Sequence, residues 1–382
     1  MTPAAPAVAP ATQSDPLDML PDGAVIAVAM SGGVDSSVAA ARCVERGLRT
    51  VGVTLAMWPR DRDLIRDRGC CGVDAVTDAR RVAAMLGIRH YAWNLEHRFG
   101  VDVIDDFVAE YAAGRTPNPC VRCNDRIKFG ALLERARAVG ATHVATGHYA
   151  RIDRHDGSWT LHRGADPRKD QAYTLYRLDQ ARLGQAVFPV GALPSKQSVR
   201  ATAARLGLPT AAKADSQELC FVDGDLAVEL ERRLAGRVLP GPVVDQTGRA
   251  LGLHRGLPLY TVGQRSGLGI SPDRPDASPL YVLELDAARN TVVAGPRESL
   301  RHHGARVERC SWVAGHPPPQ GIRCGAQLRA HGEAHPATVV RADAGHLEVR
   351  FDAPRGPVVP GQALVLFDGD QVLGGGLVAG AA

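Results

Sequence analysis

Residues 25–46 leave few architectures open. Val25-Ile-Ala-Val-Ala-Met30 is an unbroken apolar run, the pattern of a strand covered on both faces in a parallel sheet. It turns at once through Ser31-Gly32-Gly33-Val34-Asp35-Ser36-Ser37 into residues 38–46, which read as a helix stopped by Gly47. Strand, glycine turn and helix start together make an anion site. Paired glycines let the backbone approach a phosphate, and free N–H groups point outward at the positive end of the helix dipole. Neither the GxxxxGK[ST] nor the GxGxxG pattern is present, and the loop has no lysine. A capped helix after a strand would explain one polar residue here, but hardly two glycines and three hydroxyls in seven residues.

Downstream, strands are expected at 50–58, 90–95 and 142–146, with helices at 74–86, 101–113, 129–139, 178–183 and 195–206. This βαβ punctuation predicts a parallel sheet with helices on both faces. Ligands of such sheets sit beyond the C-terminal strand ends. That rule places the glycine loop, Met57, Gly147 and His148 along one rim. After Asp215 the pattern changes to short apolar runs between Pro and Gly turns, and from about Pro296 it reads as all-β. Runs at 362–367 and 372–378 flank Asp368-Gly-Asp370, a hairpin signal. The expected fold class is α/β: a parallel-sheet nucleotide domain (23–215), a small central mixed domain (216–295) and a C-terminal β-barrel (296–382), a form often used to grip nucleic acid. Residues 1–22, rich in Ala and Pro and without a basic start or apolar core, read as a disordered tail rather than a signal peptide. With no apolar segment long enough to span a bilayer, no membrane association is expected and a cytoplasmic location is the default.

The chain has 382 residues, a net charge of +4 and eight cysteines. A disulfide scaffold is not expected at this length without a secretory signal, so catalytic, redox or metal roles for some cysteines are the better reading. Of 45 basic residues only Lys128, Lys169, Lys196 and Lys213 are lysines. Lysines kept against such an arginine bias are candidates for chemistry. Arg115-Thr-Pro-Asn-Pro-Cys-Val-Arg-Cys-Asn124 carries a CxxC on a loop that two prolines hold extended. The pair alone has three readings: half a metal site, a redox pair, or a nucleophile beside an incidental neighbour. Cys220, in Asp215-Ser-Gln-Glu-Leu-Cys-Phe-Val222, reads by itself as a buried core thiol. Cys70-Cys71 sits in an Arg/Asp-rich loop and reads as incidental.

The motif Ser31–Ser37 resembles the PP-loop of the ATP pyrophosphatase superfamily (adenine nucleotide alpha hydrolase-like), which splits ATP into AMP and pyrophosphate to activate an oxygen. Taken in order with TPNPCVRCN, TGHYAR (146–151), KDQAYTLY (169–176), DSQELCFV (215–222), GQRSGLG (263–269) and PGQ (360–362), the series resembles the tRNA-specific 2-thiouridylases of the MnmA type. The resemblance runs from about Ala24 to near the C-terminus. It implies a transferase that replaces the C2 oxygen of a tRNA wobble uridine with sulfur, with ATP and magnesium as cofactors. By that resemblance Ala29, Met30, Ser31, Gly32, Gly33, Val34, Asp35, Ser36, Met57 and Gly147 hold ATP, and Asp35 is either a magnesium partner or a helix cap. Cys220 carries a persulfide and Cys123 is the nucleophile that frees the sulfur, leaving a Cys123–Cys220 disulfide. Arg122 or Arg126 would supply positive charge to the thiolates, or each is a solvated surface arginine. Asn118, Pro119 and Cys120 line the target base, which must be splayed from its stack. His148, Lys169, Asp170, Gln171, Arg329, His331 and Gln362 meet the tRNA. The partners implied are the tRNA anticodon arm and a sulfur donor such as a cysteine desulfurase or persulfide relay protein.

One departure matters: many members have aspartate where this chain has Cys120. Cys120, Cys123 and Cys220 would suit three corners of a [4Fe–4S] cluster with one iron open to sulfide. The persulfide and cluster routes both stay open on these residues, with zinc behind them. Two other classes compete. A PP-loop synthetase of the amidotransferase type would need neither Cys123 nor Cys220, and a non-catalytic iron–sulfur or zinc RNA-binding module would release neither AMP nor pyrophosphate.

Overall fold

The computed structural model describes residues 15–57, 73–215, 219–222, 224–234, 236–270 and 278–382. In chain order the first part contains β1 (Val25–Ala29), α1 (Val34–Glu45), β2 (Arg49–Ala56), α2 (Val73–Met85), β3 (Arg89–Asn94), α3 (Glu96–Phe99), α4 (Asp106–Ala112), α5 (Pro119–Arg122), α6 (Leu132–Ala138), β4 (His143–Ala145), β5 (Ala150–His155), β6 (Ser158–Arg163), α7 (Gln180–Leu183), β7 (Ala186–Val187) and α8 (Lys196–Arg205). The first sheet has the order β3-β2-β1-β4-β7, and every pairing in it is parallel. Alternation along β1 divides its side chains between two layers. Ile26 and Val28 pack with Val38, Val82, Val199 and Ala203 on the face covered by α1, α2 and α8. Ala27 faces the opposite core, with Phe99, Phe107, Ile127, Phe129 and Leu132. Strand order reverses between β1 and β4, and at such a switch point a crevice opens beyond the strand ends.

Two helical expectations change. The 101–113 segment begins earlier, at Glu96, and a π-helical stretch Gly100–Asp105 joins α3 to α4. The 129–139 segment extends back to Pro119 through a second π-helical stretch, Cys123–Ala131. The CxxC read as a rigid loop therefore lies at a helix start. Asn118 is the reason: its side-chain oxygen accepts from the Cys120 N–H at 3.1 Å, and Pro119 occupies the first turn, the preferred N-terminal chemistry of a helix. Within the expected tail, residues 15–22 pack on α1 instead of hanging loose. Leu17 is buried in the α1 layer, and Asp15 and Asp18 pair with Arg42 and Arg46. Trp58 and the 59–72 loop with Cys70 and Cys71 lie outside the described residues.

The central part holds α9 (Leu226–Arg233), β8 (Gly241–Val244), β9 (Ala250–His254), β10 (Tyr281–Asp286) and β11 (Thr291–Gly295), its strands forming a sheet of order β10-β11-β8-β9. β12 (His302–Trp312), β13 (Arg323–Gln327), β14 (Ala334–Ala342), β15 (His346–Arg355), β16 (Ala363–Asp368) and β17 (Gln371–Ala381) follow. They run in the order β12-β15-β14-β13-β16-β17, and antiparallel pairing of β12 with β17 closes the barrel, leaving no free edge among these six. The β5–β6 hairpin, not expected from sequence, leaves the first part and extends the barrel sheet, with Gln371 and Val372 of β17 paired to His162 and Leu161 of β6. No helix among the described residues is long and apolar enough to cross a membrane.

Candidate active site

The glycine loop follows β1 at the switch point. Met30 is fixed by its N–H to the Val53 carbonyl (2.8 Å) and by Thr54 Oγ1 donating to its own carbonyl (2.7 Å). Gly32 has φ +68, and a Cβ there would fall 2.4 Å from the Ala75 carbonyl oxygen, so both conformation and space require glycine. Gly33 is the N-cap of α1 and contributes no side-chain cap. The hydroxyls turn inward: Ser36 Oγ donates to the Gly33 carbonyl (3.1 Å) and accepts from the Ser31 N–H (3.1 Å), while Ser37 Oγ also donates to Gly33 (2.8 Å). Serines brace the turn, and the first N–H groups of α1 are left to face the crevice. Met57, buried, directly follows β2 at the same rim. Gly147, just after β4, lies so close that a Cβ would meet Ser36 N at 2.7 Å and the Asp35 carbonyl carbon at 2.8 Å.

Asp35 is not a helix cap. Lys196 Nζ donates to both its oxygens (2.8 and 2.7 Å), and Tyr149 Oη donates to one of them (2.6 Å). The same ammonium reaches Asp215 at 2.9 Å, and Asp215 is also held by Lys169 (2.8 Å) and Arg200 (2.8 Å). Burial alone would raise the Asp215 carboxyl, but the hydrogen bonds and charges of Lys169 and Lys196 outweigh it and hold it at about 2. Burial and the Asp35 carboxylate together push the Tyr149 phenol upward, so it stays a donor. Lys213 pairs with Asp78 of α2 at 2.7 Å.

The cysteine helix joins this rim through Lys128, one π turn beyond Cys123. Lys128 Nζ lies 3.4 Å from His148 Nε2, and His148 Nδ1 lies 2.6 Å from Thr146 Oγ1. The His148 ring is buried against Phe129 and Phe188. Burial, reinforced by the Lys128 charge, lowers its pKa well below 6.5. The imidazole is therefore neutral and accepts from Lys128. Cys123 is buried in the core cluster on which Leu219, Cys220 and Val222 pack, and Phe221 seats edge-on against Phe99 and Phe107. Both thiols therefore rest on one cluster. Cys120 is exposed. Among the described residues no three His, Cys, Asp or Glu side chains gather as a metal-binding group. Arg122 forks onto Asp106 (3.0 and 2.8 Å), and the exposed Arg126 approaches Asp125 at 3.4 Å.

The expected RNA contacts divide in two. Lys169, Gln171, Arg329 and His331 keep exposed surface. They share one side because Arg163 bridges Asp170 (2.6 Å) to Gln327 (2.8 Å), whose amide in turn holds the turn at Arg329 and Ala330. Asp170, His148 and Gln362 are placed as supports. Asp170 accepts from Arg163 and from the Gly164 and Ala172 N–H groups, and Gln362 donates to the Thr116 carbonyl (3.0 Å) at the root of the Asn118 loop. Sequence reasoning marked Lys128 and Lys196 as candidates for chemistry without placing them in this site, and it missed Tyr149 and Asp215. The signal available was lysine scarcity, since each of the four lysines meets a side chain of this region.

The sequence agrees with this division. Residues 24–224 match the family model described as a tRNA methyl transferase HUP domain, 230–296 a tRNA methyl transferase PRC-barrel domain, and 302–378 an aminomethyltransferase beta-barrel domain. The chain is 46% identical over 375 residues to a protein named tRNA-specific 2-thiouridylase MnmA from Roseiflexus sp. (strain RS-1), covering 93% of this chain and 99% of that one. Proteins of the same name from Chloroflexus aggregans and Symbiobacterium thermophilum are 48% and 45% identical, over 93% and 92% of this chain and 98% and 91% of theirs.

Proposed function

The chain belongs to the family of tRNA-specific 2-thiouridylases, and on that premise we propose how its residues divide the work of replacing a uridine C2 oxygen with sulfur. It is an ATP-using tRNA sulfurtransferase. The observation that carries the residue assignment is the link from Gly147, which touches the loop, through His148 to Lys128 on the Cys123 helix. That link supports one crevice serving both nucleotide and thiols.

The backbone N–H groups of Ser31–Ser36 and the start of α1 cradle the phosphates. The uridine C2 oxygen attacks the α-phosphorus and pyrophosphate leaves, so that C2 carries an adenylate in place of a poor leaving group. Asp35 is the carboxylate that would hold magnesium, which neutralises phosphate charge when bound. The terminal sulfur of a Cys220 persulfide then bonds to C2, and AMP departs. The Cys123 thiolate attacks the Cys220 sulfur, breaking the S–S bond. This releases 2-thiouridine and leaves a Cys123–Cys220 disulfide, which a thiol reductant must open before the next turnover. Lys128, on the same helix as Cys123, is the cation assigned to stabilise its thiolate. Asp106 already pairs with Arg122, which makes that arginine a brace for α5. Among the described residues Cys120, Cys123 and Cys220 do not gather as a metal-binding group, Cys120 being exposed and Cys123 in the core, so the persulfide route is the one proposed.

Lys169, Gln171, Arg329 and His331 form the proposed RNA face, the wobble uridine is the proposed target, and a persulfide-bearing enzyme is the proposed donor. The test supplies purified protein with unmodified tRNA, ATP, magnesium and a persulfide donor, then measures 2-thiouridine and AMP. One AMP per thiolated uridine is expected. Thiolation without AMP release, or AMP release without thiolation in the presence of donor, would overturn the reading.

A further inference from the structure

The phosphate loop lacks the lysine that a P-loop carries, yet a lysine from elsewhere is held against it. Lys196 is the first residue of α8, where Ser195 caps the helix by accepting from the Ser198 N–H. Its side chain is 11% exposed, and lysine is seldom so buried unless paired. All three ammonium protons have partners: two on Asp35 and one on Asp215. Asp215 is further held by Lys169 and Arg200, so the local cluster of two carboxylates and three cations carries an excess positive charge. The Lys196 backbone N–H donates to the buried Asp166 at 3.0 Å, which fixes the helix start from which the side chain reaches.

Resting on the functional reading above, we propose that Lys196 is the phosphate lysine of this loop, kept in place by Asp35 and handed to the pyrophosphate portion of ATP when magnesium takes that carboxylate. A divalent cation and an ammonium both seated on one carboxylate repel each other strongly at low effective dielectric. Magnesium entering at Asp35 therefore displaces two of the three lysine contacts. The N–H donors freed from Asp35 find acceptors in the phosphate oxygens that arrive with the metal, while Asp215 keeps the ammonium within reach. Tyr149, which stays a donor to Asp35, holds that carboxylate in register during the exchange. The loop thereby uses one lysine for two tasks: it screens Asp35 before nucleotide binds and grips the leaving group afterwards.

Binding of inorganic pyrophosphate, α,β-methylene-ATP and AMP is measured by calorimetry, with and without magnesium, on the full chain. Lys196→Met is expected to weaken pyrophosphate and the ATP analogue at least tenfold, the loss of one or two charge-assisted hydrogen bonds, with AMP changed less than twofold. Lys196→Arg should recover most of that loss. Asp35→Asn leaves the lysine in place and releases it from its partner, so magnesium-free pyrophosphate should bind more tightly than to the native chain. Manganese, followed by electron paramagnetic resonance without nucleotide, should bind Lys196→Met more tightly than the native chain. Unchanged pyrophosphate affinity in Lys196→Met, or unchanged or weaker magnesium-free pyrophosphate binding in Asp35→Asn, would reduce Lys196 to a brace between α1 and α8 and overturn the proposal. The Asp35→Asn arm holds even if Lys196→Met fails to fold. Thiolation by the native chain, assayed alongside, tests the underlying reading separately.

Discussion

Replacing Gly147 by alanine tests whether the crevice depends on the close approach of the β4 end to the loop. The added methyl would sit 2.7 Å from Ser36 N, 2.8 Å from the Asp35 carbonyl carbon and 2.9 Å from Asp35 Cβ. Ordinary contact begins near 3.4 Å, so the two segments must part by about 0.7 Å, and close-packed interiors resist even that much. All three obstacles belong to the first turn of α1, and two are backbone atoms, so no side chain can simply swing away. Overpacking of this kind costs ~1–3 kcal/mol, which for a chain of this size lowers the melting temperature by roughly 1–4 °C. The effect on chemistry is expected to exceed the effect on folding, because Ser36 and Asp35 belong to the proposed phosphate cradle. A reacting group misplaced by ~1 Å loses about a hundredfold in rate, so the expected fall in tRNA-dependent pyrophosphate release is ~10- to 100-fold. Gly100→Ala is the control: a Cβ there meets nothing within 4 Å, and the residue is helical. Pyrophosphate release and thermal unfolding are compared on the two variants. A folded Gly147→Ala enzyme with native pyrophosphate release would refute the argument, for it would mean the loop does not use this contact.

Three further outcomes follow from the packing. Cys123→Ser and Cys220→Ser should each abolish 2-thiouridine in digested tRNA, read by mass spectrometry; thiolation surviving in both rules out this sulfur route. His148 is held neutral in the folded chain by burial and by Lys128, so its folded pKa lies below that of the unfolded chain. Its stabilisation is complete above about pH 6.5 and declines as pH falls toward the folded value. The melting temperature should therefore drop less between pH 7 and 5 in His148→Asn than in the native chain, and equal drops would contradict the burial argument. Asp125 is 3% exposed and accepts from both Arg177 and Arg182. Its replacement by alanine strands two guanidinium groups and should cost ~3 kcal/mol in urea unfolding, whereas a cost under about 1 kcal/mol would place the pair in water.

The glycine loop was legible because its signals are local: an apolar run, two glycines and a hydroxyl cluster all lie within thirteen residues. The barrel was legible in its last two strands, apolar runs on either side of an Asp-Gly turn, whereas β12 and β13 were not identified because Arg, Cys and Gly interrupt theirs. The β5–β6 hairpin did carry a local mark. Asp156-Gly157 turns through φ +48 and +81, the Asp-Gly signature of a two-residue hairpin. The CxxC helix start was hidden because its two prolines favour extended backbone, while Asn118 supplies the cap that reverses the reading. Lys196 lies 161 residues from its partner Asp35. Only the sheet order, which sets α8 beside α1, brings that pair together.

The β5–β6 hairpin has a mechanical meaning. It roots in the nucleotide layer at Ala150, and β6 pairs with β17 of the barrel. Further pins run across the same boundary: Tyr173 Oη to the Ala363 carbonyl (2.7 Å), the Thr116 N–H to the Pro360 carbonyl (2.8 Å) and Gln180 Nε2 to the Val313 carbonyl (2.7 Å). The barrel therefore works as the fixed jaw of a caliper, set at one distance from the ATP loop. On the proposed function, a tRNA spanning both would be selected by the length between grip and reacting base, before any base edge is read.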